Sequence, residues 1–198
     1  MHDDLWLKLK ALDIQETVCR SLCPFQSTSQ GGYFIVRFIS EDYHVDLSQK
    51  QIVRCDAGGE GEQADYLHQL CILAYLISAK DIPLARSLVG QQDLAGGAFF
   101  FRGNHVLPTE KLANAFGALP QEFLALAKRF CGHPCNYGDA AFEFHLLPRL
   151  PVTFILWRGD SEFASRASIL FDKTADRHIP LDALGAAVGL AIKKMING

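Results

Sequence analysis

The chain has 198 residues, of which 49% are hydrophobic and 21% charged, and its formal net charge at pH 7 is −3. These values are typical of a globular protein and exclude a disordered chain. Lysine and arginine form no run or stripe that would neutralise a row of phosphates, so we expect no nucleic-acid partner. The length fits a single domain over residues 1–198, and folding at this size buries about 70% of the extended surface, enough for a core.

The first residues are acidic and lack the basic and apolar regions of a secretory signal. The longest mostly apolar stretches, residues 67–79 and 184–192, are shorter than the roughly 20 residues that cross a bilayer. We therefore expect a cytoplasmic protein without membrane insertion. The six cysteines are expected to stay reduced there, and some of them to fill core volume.

The N-terminal segment predicts helix followed by a hairpin. Residues 5–22 carry apolar side chains at helical spacing, which indicates one helix or two with a second start at Asp13. Residues 33–39 and 43–47 have the apolar, β-branched and alternating pattern of strands. The polar residues 40–42 join them, so we predict a β-hairpin.

The next segment contains the clearest predicted helix. A third short strand over residues 51–55 and a glycine-rich break over residues 57–61 precede it. Residues 63–80 then predict a helix that is apolar nearly all round over residues 70–77, which indicates a buried central helix. Pro83 ends any continuation.

Two further helices are predicted before the C-terminal strands. Residues 109–116 form one, with Thr109 as its N-cap, and residues 121–130 form the other, with Pro120 at its start. A short, aromatic-rich segment, residues 98–101, comes before both.

The last part predicts a three-stranded meander and a C-terminal helix. Residues 140–146 alternate strictly, and residues 152–157 and 168–171 supply two more strands. Pro180 opens a helix over residues 181–195. The element order favours the α+β class, with an antiparallel sheet made from the N-terminal hairpin and the C-terminal meander and helices packed on one face.

The hairpin and loop over residues 138–172 are the most distinctive part of the sequence. The loop contains Trp157, Arg158, Asp160 and Glu162. Asp160 and Glu162 can act as a paired acid and base, or bind a hard cation together with Asp172. The alternative is a tight turn in which Asp160 caps its own backbone and Arg158 or Arg166 pairs with Glu162.

A second cluster places Cys131, His133 and Cys135 within five residues. The spacing is not that of a zinc knuckle, and a metal or iron–sulfur site needs about four ligands. Cys19 and Cys23 would therefore have to meet this cluster in space. The alternatives are a redox-active pair formed by Cys131 and Cys135, or cysteines that only pack.

Glu143 and His145 project from the same face of the predicted strand. Phe142 and Phe144 take the core face, so this pair is expected to look outward onto a solvated face. If a ligand covers that face, His145 becomes a candidate axial or metal ligand.

Four C-terminal segments resemble the signature of the family called domain of unknown function 3786, which occurs mainly in anaerobic bacteria and archaea. They are residues 137–144 (YGDAAFEF), 147–152 (LPRLPV), 156–163 (LWRGDSEF) and 169–172 (ILFD). Looser similarity extends over most of the chain. Some members resemble fusions to a cysteine-rich iron–sulfur domain of the kind found with corrinoid enzymes, and this sequence lacks that domain. The resemblance implies a link to anaerobic redox or tetrapyrrole metabolism, with a redox or iron–sulfur protein as partner.

Three functions follow as hypotheses, since fold alone does not decide between them. The first is a binding or accessory protein for a haem or corrinoid, with an iron–sulfur cluster the less favoured cofactor. Its aromatic-lined pocket would lie between sheet and helices, with His145 or His133 near the metal and Trp157, Arg158 and Asp160 as further contacts. The second is a protein-interaction subunit that uses an exposed face of the meander. The third is an acid–base enzyme that uses Asp160 and Glu162.

Overall fold

The structure, a computed structural model, describes residues 2–29, 31–55 and 61–197. The helices are α1 (Asp3–Lys10), α2 (Ile14–Ser21), α3 (Tyr66–Ser78), α4 (Gly97–Phe100), α5 (Thr109–Phe116), α6 (Pro120–Arg129), α7 (Ala175–His178) and α8 (Leu181–Asn197). The strands are β1 (Phe25–Thr28), β2 (Gly31–Phe38), β3 (Glu41–Asp46), β4 (Gln51–Arg54), β5 (Leu88–Gly90), β6 (His133–Pro134), β7 (Ala140–Leu147), β8 (Leu150–Trp157) and β9 (Arg166–Asp172). The predicted α+β class is confirmed.

The strands form two antiparallel sheets. The four-stranded sheet has the order β1-β2-β3-β4, and the five-stranded sheet has the order β5-β9-β8-β7-β6. The predicted hairpin and meander are therefore present, but they belong to different sheets. The backbone N–H of Ile39 donates to the carbonyl of Leu146 at 3.0 Å and joins the end of the hairpin to β7.

The predicted hairpin connection over residues 40–42 is wrong in its bounds. Ile39 and Ser40 form the turn, with φ angles of 46° and 66°, and Glu41 and Asp42 already pair with β2. A two-residue turn with positive φ at both positions matches the right-handed twist of the flanking strands. The match to the strand twist therefore outweighs the steric cost of a positive φ at the β-branched residue Ile39.

The predicted division into helices is largely confirmed. Residues 5–22 form two helices, and Asp13 caps the second by accepting from the backbone N–H of Glu16 at 2.8 Å. Thr109 is the first residue of α5, not its N-cap, and the helix has no side-chain cap. The glycine-rich break predicted over residues 57–61 lies outside the described residues except for Gly61.

Both sheets contribute to one hydrophobic core. The central helix α3 is buried along most of its length, as predicted, and packs against α1, α2 and α8. On the five-stranded sheet, α5 covers β9 and α6 covers β7. Of the described helices, none combines the length and apolarity needed to cross a membrane.

Phenylalanine side chains fill the space between the five-stranded sheet and α6. Phe142, Phe144 and Phe154 stack with ring centroids 5.5–6.0 Å apart. Phe123 and Phe130 from the α6 region lie 4.9 and 5.0 Å from rings of this stack. Because these rings contact one another and are almost wholly buried, they form solid core where the sequence had suggested the wall of a pocket.

Candidate functional site

The loop after β8 is a closed turn built around Asp160. The Oδ1 atom of Asp160 accepts from the backbone N–H groups of Glu162 and Phe163, both at 2.8 Å. These two bonds lower the pKa of Asp160 below its ordinary value. The carboxylate is therefore committed to the turn and held in its ionised form, which suits a structural role better than proton donation.

The two arginines of the loop do not pair with Glu162. The guanidinium of Arg166 lies 4.4 Å from the ring centroid of its cross-strand neighbour Trp157, a cation–π contact. The backbone N–H of Arg158 donates to Oδ2 of Asp139 at 2.8 Å. The loop is thus tied to the strand end by backbone and stacking contacts.

Asp172 is not part of this loop cluster. It lies at the far end of β9, about 20 Å from the loop at the usual rise of a strand. Its carboxylate, which is 3% exposed, accepts from the backbone N–H groups of Ala85, Arg86 and Thr174 and from the hydroxyl of Thr174. Asp172 therefore anchors the segment before β5 and is not brought to Asp160 and Glu162.

The side chain of His145 is exposed, as predicted, whereas Glu143 and Ala141 on the same face of β7 are half-buried and fully buried. Its Nδ1 atom is 2.9 Å from the carbonyl oxygen of Pro148. Since a carbonyl can only accept, Nδ1 carries the proton and Nε2 is left as a lone-pair donor in the neutral ring. His145 pairs across the sheet with Pro151, whereas Trp157 ends the same strand about 20 Å away, so the predicted cofactor contacts do not converge on one small ligand.

Cys131, His133 and Cys135 point to different surroundings. Cys131 follows α6 with a φ of 54°, and its Sγ atom lies 3.6 Å from a guanidinium nitrogen of Arg37. His133 pairs with Glu143, with 3.6 Å between Nε2 and Oε1. Burial and the nearby Glu143 carboxylate raise the pKa of Cys135, so this thiol stays protonated at neutral pH.

The second cysteine pair does not complete this cluster. Cys23 is fully buried, and burial raises the pKa of its thiol to about 12. Across residues 2–29, 31–55 and 61–197, no three His, Cys, Asp or Glu side chains are placed to hold a metal ion. The metal and iron–sulfur assignments thus gain no support from the geometry and stay predictions.

A polar depression elsewhere was missed by sequence reasoning. We call it the charged groove, and it consists of two adjoining depressions of about 200 and 360 Å³ between the four-stranded sheet and the ends of α3, α6 and α8. Its main polar lining residues are Glu41, Tyr43, Arg54, Asp65, His68, Arg129, Lys193 and Lys194.

Glu41 organises the floor of the charged groove. Its carboxylate accepts from Nζ of Lys194 at 2.7 Å and from the hydroxyl of Tyr43 at 3.3 Å, and Arg54 lies 3.9 Å away. Burial and then the Glu41 carboxylate raise the pKa of Tyr43 well above its ordinary value, so its hydroxyl stays protonated. Residues from β3, β4 and α8 are therefore joined in one hydrogen-bonded network.

His68 forms the aromatic side of the charged groove. Its Nδ1 atom lies 2.8 Å from Oδ1 of Asp65, the N-cap of α3, and its ring contacts Phe38 and Tyr43. Burial alone would raise the pKa of Asp65, but hydrogen bonds from the backbone N–H and ring of His68 lower it. An ionised Asp65 can only accept, so in the neutral ring it holds the proton on Nδ1 and leaves the lone pair on Nε2.

Only one sequence signal pointed to this groove. An aspartate three residues before a histidine at the start of a predicted helix is an N-cap pattern, and Asp65 and His68 fit it. The remaining residues are spread from position 41 to position 194 and share no pattern along the chain. Their convergence depends on how α8 packs beside the hairpin.

The comparison with protein families agrees with the sequence resemblance. The family described as domain of unknown function (DUF3786) matches residues 13–194, and the chain therefore belongs to this family. No curated protein and no solved structure matches the chain.

Proposed function

We propose that this protein is a binding or accessory protein that holds a small ligand in the charged groove. Supporting this, five separate elements supply its lining, and their polar groups are already fixed by contacts with one another. Fixed polar groups around a solvent-filled depression are a common property of ligand sites, because little ordering is needed on binding.

The oriented imidazole of His68 is the single observation that carries the proposal. A carboxylate on Nδ1 is the arrangement by which proteins present Nε2 to a metal-bearing ligand or to a proton donor. Surface histidines that serve only solubility need no such partner. The ring is also three-quarters removed from solvent, so a ligand would find it held rigidly against Phe38 and Tyr43.

A ligand screen tests this function. Saturation-transfer NMR with a set of small neutral, anionic and cationic fragments should detect compounds whose binding also shifts the imidazole C–H signals of His68. His68→Ala should abolish or strongly weaken their binding. His44→Ala is the matched control, since His44 follows the groove residue Tyr43 in β3 but does not itself line the groove. Equal binding by both variants, or no fragment that shifts the His68 signals, would refute the proposal.

A second candidate function is attachment of a haem or corrinoid through His145. The observation that favours it is the bond between Nδ1 and the Pro148 carbonyl, which makes Nε2 the lone-pair donor in the neutral form of this exposed ring. The ligand would then lie beside the exposed ring of His145, and a redox or iron–sulfur protein would be its partner. This candidate is weaker because Trp157 and Asp160 are too distant to share the ligand.

Titration with haemin and with cobalamin tests the second candidate. A shifted visible absorption band that is lost in His145→Ala and kept in His133→Ala would support it. Protein that stays colourless after purification without oxygen, and that does not change the spectrum of either compound, would contradict it.

A further inference from the structure

Building on the proposed function, we infer that the ligand of the charged groove carries a single anionic group, a carboxylate or a phosphate, that binds between Arg129 and Lys193. The inference names the chemical class of the ligand and the end of the groove that recognises it. It rests on the unequal distribution of paired and unpaired charges along the groove.

Two of the groove's cations are already paired. Lys194, which lines the wider depression, binds Glu41 at 2.7 Å. Arg54, which lines both depressions, lies 3.3 Å from the Glu62 carboxylate and 3.9 Å from that of Glu41, so the narrower depression has no net positive charge. An anion placed there would also face the ionised Asp65.

The wider depression, in contrast, contains cations that are not paired. Arg129 and Lys193 line the wider depression, and within residues 2–29, 31–55 and 61–197 neither side chain has a hydrogen-bond or ion-pair partner. They come from two different helices, the last turn of α6 and the C-terminal part of α8. Two unpaired cations that line one depression attract an anion, and both a guanidinium and an ammonium can donate charge-assisted hydrogen bonds to a carboxylate or phosphate.

Glu41, Asp65 and His68 then select the rest of the ligand. With Glu41 and Asp65 ionised, a second negative group is repelled, whereas a neutral body can meet the Nε2 lone pair of His68. The expected ligand is therefore a molecule with one anionic group and a neutral hydrogen-bonding or aromatic body. A competing explanation is that Arg129 and Lys193 only complement the negative C-terminal ends of their helices.

Three probes that share a phenyl ring separate these explanations. Benzoate and phenyl phosphate carry the two candidate anionic groups on one ring, and benzyl alcohol is their neutral counterpart. Binding is measured by calorimetry and by the shift of the His68 imidazole signals. We expect benzoate or phenyl phosphate to bind at least about ten-fold more tightly than benzyl alcohol, with affinity that falls as salt rises. The stronger of the two anions identifies the group.

The variant pair Arg129→Gln with Lys193→Gln should weaken anion binding by about ten-fold or more and leave benzyl alcohol binding unchanged. The control pair is Lys128→Gln with Lys173→Gln, two exposed cations outside the groove, which removes the same net charge. Equal losses in both pairs would show a nonspecific charge effect and overturn the inference. Benzyl alcohol binding as tightly as the anions, with a shift of His68, would also overturn it but leave the groove as a ligand site. If none of the three compounds shifts His68, the inference is overturned, and the fragment screen decides whether the proposed function fails with it.

Discussion

The substitution Asp172→Asn tests whether this buried carboxylate is an anchor of the fold. Oδ1 accepts from the N–H groups of Ala85 and Thr174 and from the Thr174 hydroxyl, and Oδ2 accepts from the N–H of Arg86 at 2.7 Å. Asparagine keeps the shape of the side chain but supplies one acceptor oxygen. Its NH₂ group would face the N–H of Arg86, so that donor would lose its partner.

The expected loss follows from these bonds. A hydrogen bond to a charged group contributes about 1.5–3 kcal/mol, and the bonds that remain would be made to a neutral acceptor. We expect the free energy of unfolding to fall by about 3 kcal/mol. For a chain of this size that corresponds to a decrease in Tm of about 6–12 °C.

Urea unfolding measures this change, with Asp160→Asn as the matched control. Asp160 also accepts two backbone bonds but is exposed, so its substitution should lower the free energy of unfolding by clearly less than Asp172→Asn does. The m-value should stay unchanged in both variants. The reasoning is refuted if Asp172→Asn is no more destabilising than Asp160→Asn, or if Ca²⁺ or Mg²⁺ raises the Tm of the wild type and not of Asp172→Asn.

The same carboxylate predicts a loss of stability in acid. Burial raises the pKa of Asp172, but the bonds from Thr174, Ala85 and Arg86 outweigh it and lower the pKa. The folded state therefore takes up its proton at a lower pH than the unfolded state, whose pKa is about 3.9. The stability that this difference contributes is present above about pH 4 and is lost as the pH falls through the folded pKa. Urea midpoints between pH 2 and 6 should show a smaller acid loss in Asp172→Asn.

Three further predictions concern packing and titration. Burial, and then the Arg149 charge, lower the pKa of His178. The stability that the neutral ring contributes is therefore complete above about pH 6.5 and declines as the pH falls below that value. Urea midpoints at pH 8 and pH 5.5 should differ more in the wild type than in His178→Asn. Gly138→Ala should lower the free energy of unfolding by about 2 kcal/mol or more, because φ is 55° and the added Cβ would lie 2.6 Å from the Leu156 carbonyl oxygen. The control Gly103→Ala, with φ of 56° and open space around the added Cβ, should show only the backbone strain of about 1 kcal/mol. Phe154→Ala should lower the free energy of unfolding by about 3–5 kcal/mol, against less than about 0.5 kcal/mol for the exposed Phe163→Ala.

The candidate sites differ in how far the sequence could predict them. Asp160 could be assigned to either a turn or a catalytic pair, because the residues Arg-Gly-Asp-Ser-Glu suit both, and only the positions of the N–H groups of Glu162 and Phe163 distinguish them. For His145 the alternation of its strand predicted correctly that the side chain is exposed, although Ala141 on the same face is buried. What the pattern could not supply was the Pro148 carbonyl, which a turn in the chain brings back to the ring.

Local periodicity by itself determined most of the elements of this protein. The alternation in residues 140–146, the apolar run in α3 and the capping residue Asp13 act over a few neighbouring positions, so their outcome can be read without knowing the fold. Short pieces such as β1 and β6 escaped because they carry too few residues for a pattern. Tertiary structure decided that the hairpin and the meander form separate sheets, that the phenylalanines close on one another, and that Glu41, His68 and Lys194 line one groove. Those outcomes depend on contacts between residues far apart in the chain, and such contacts leave no period in the sequence.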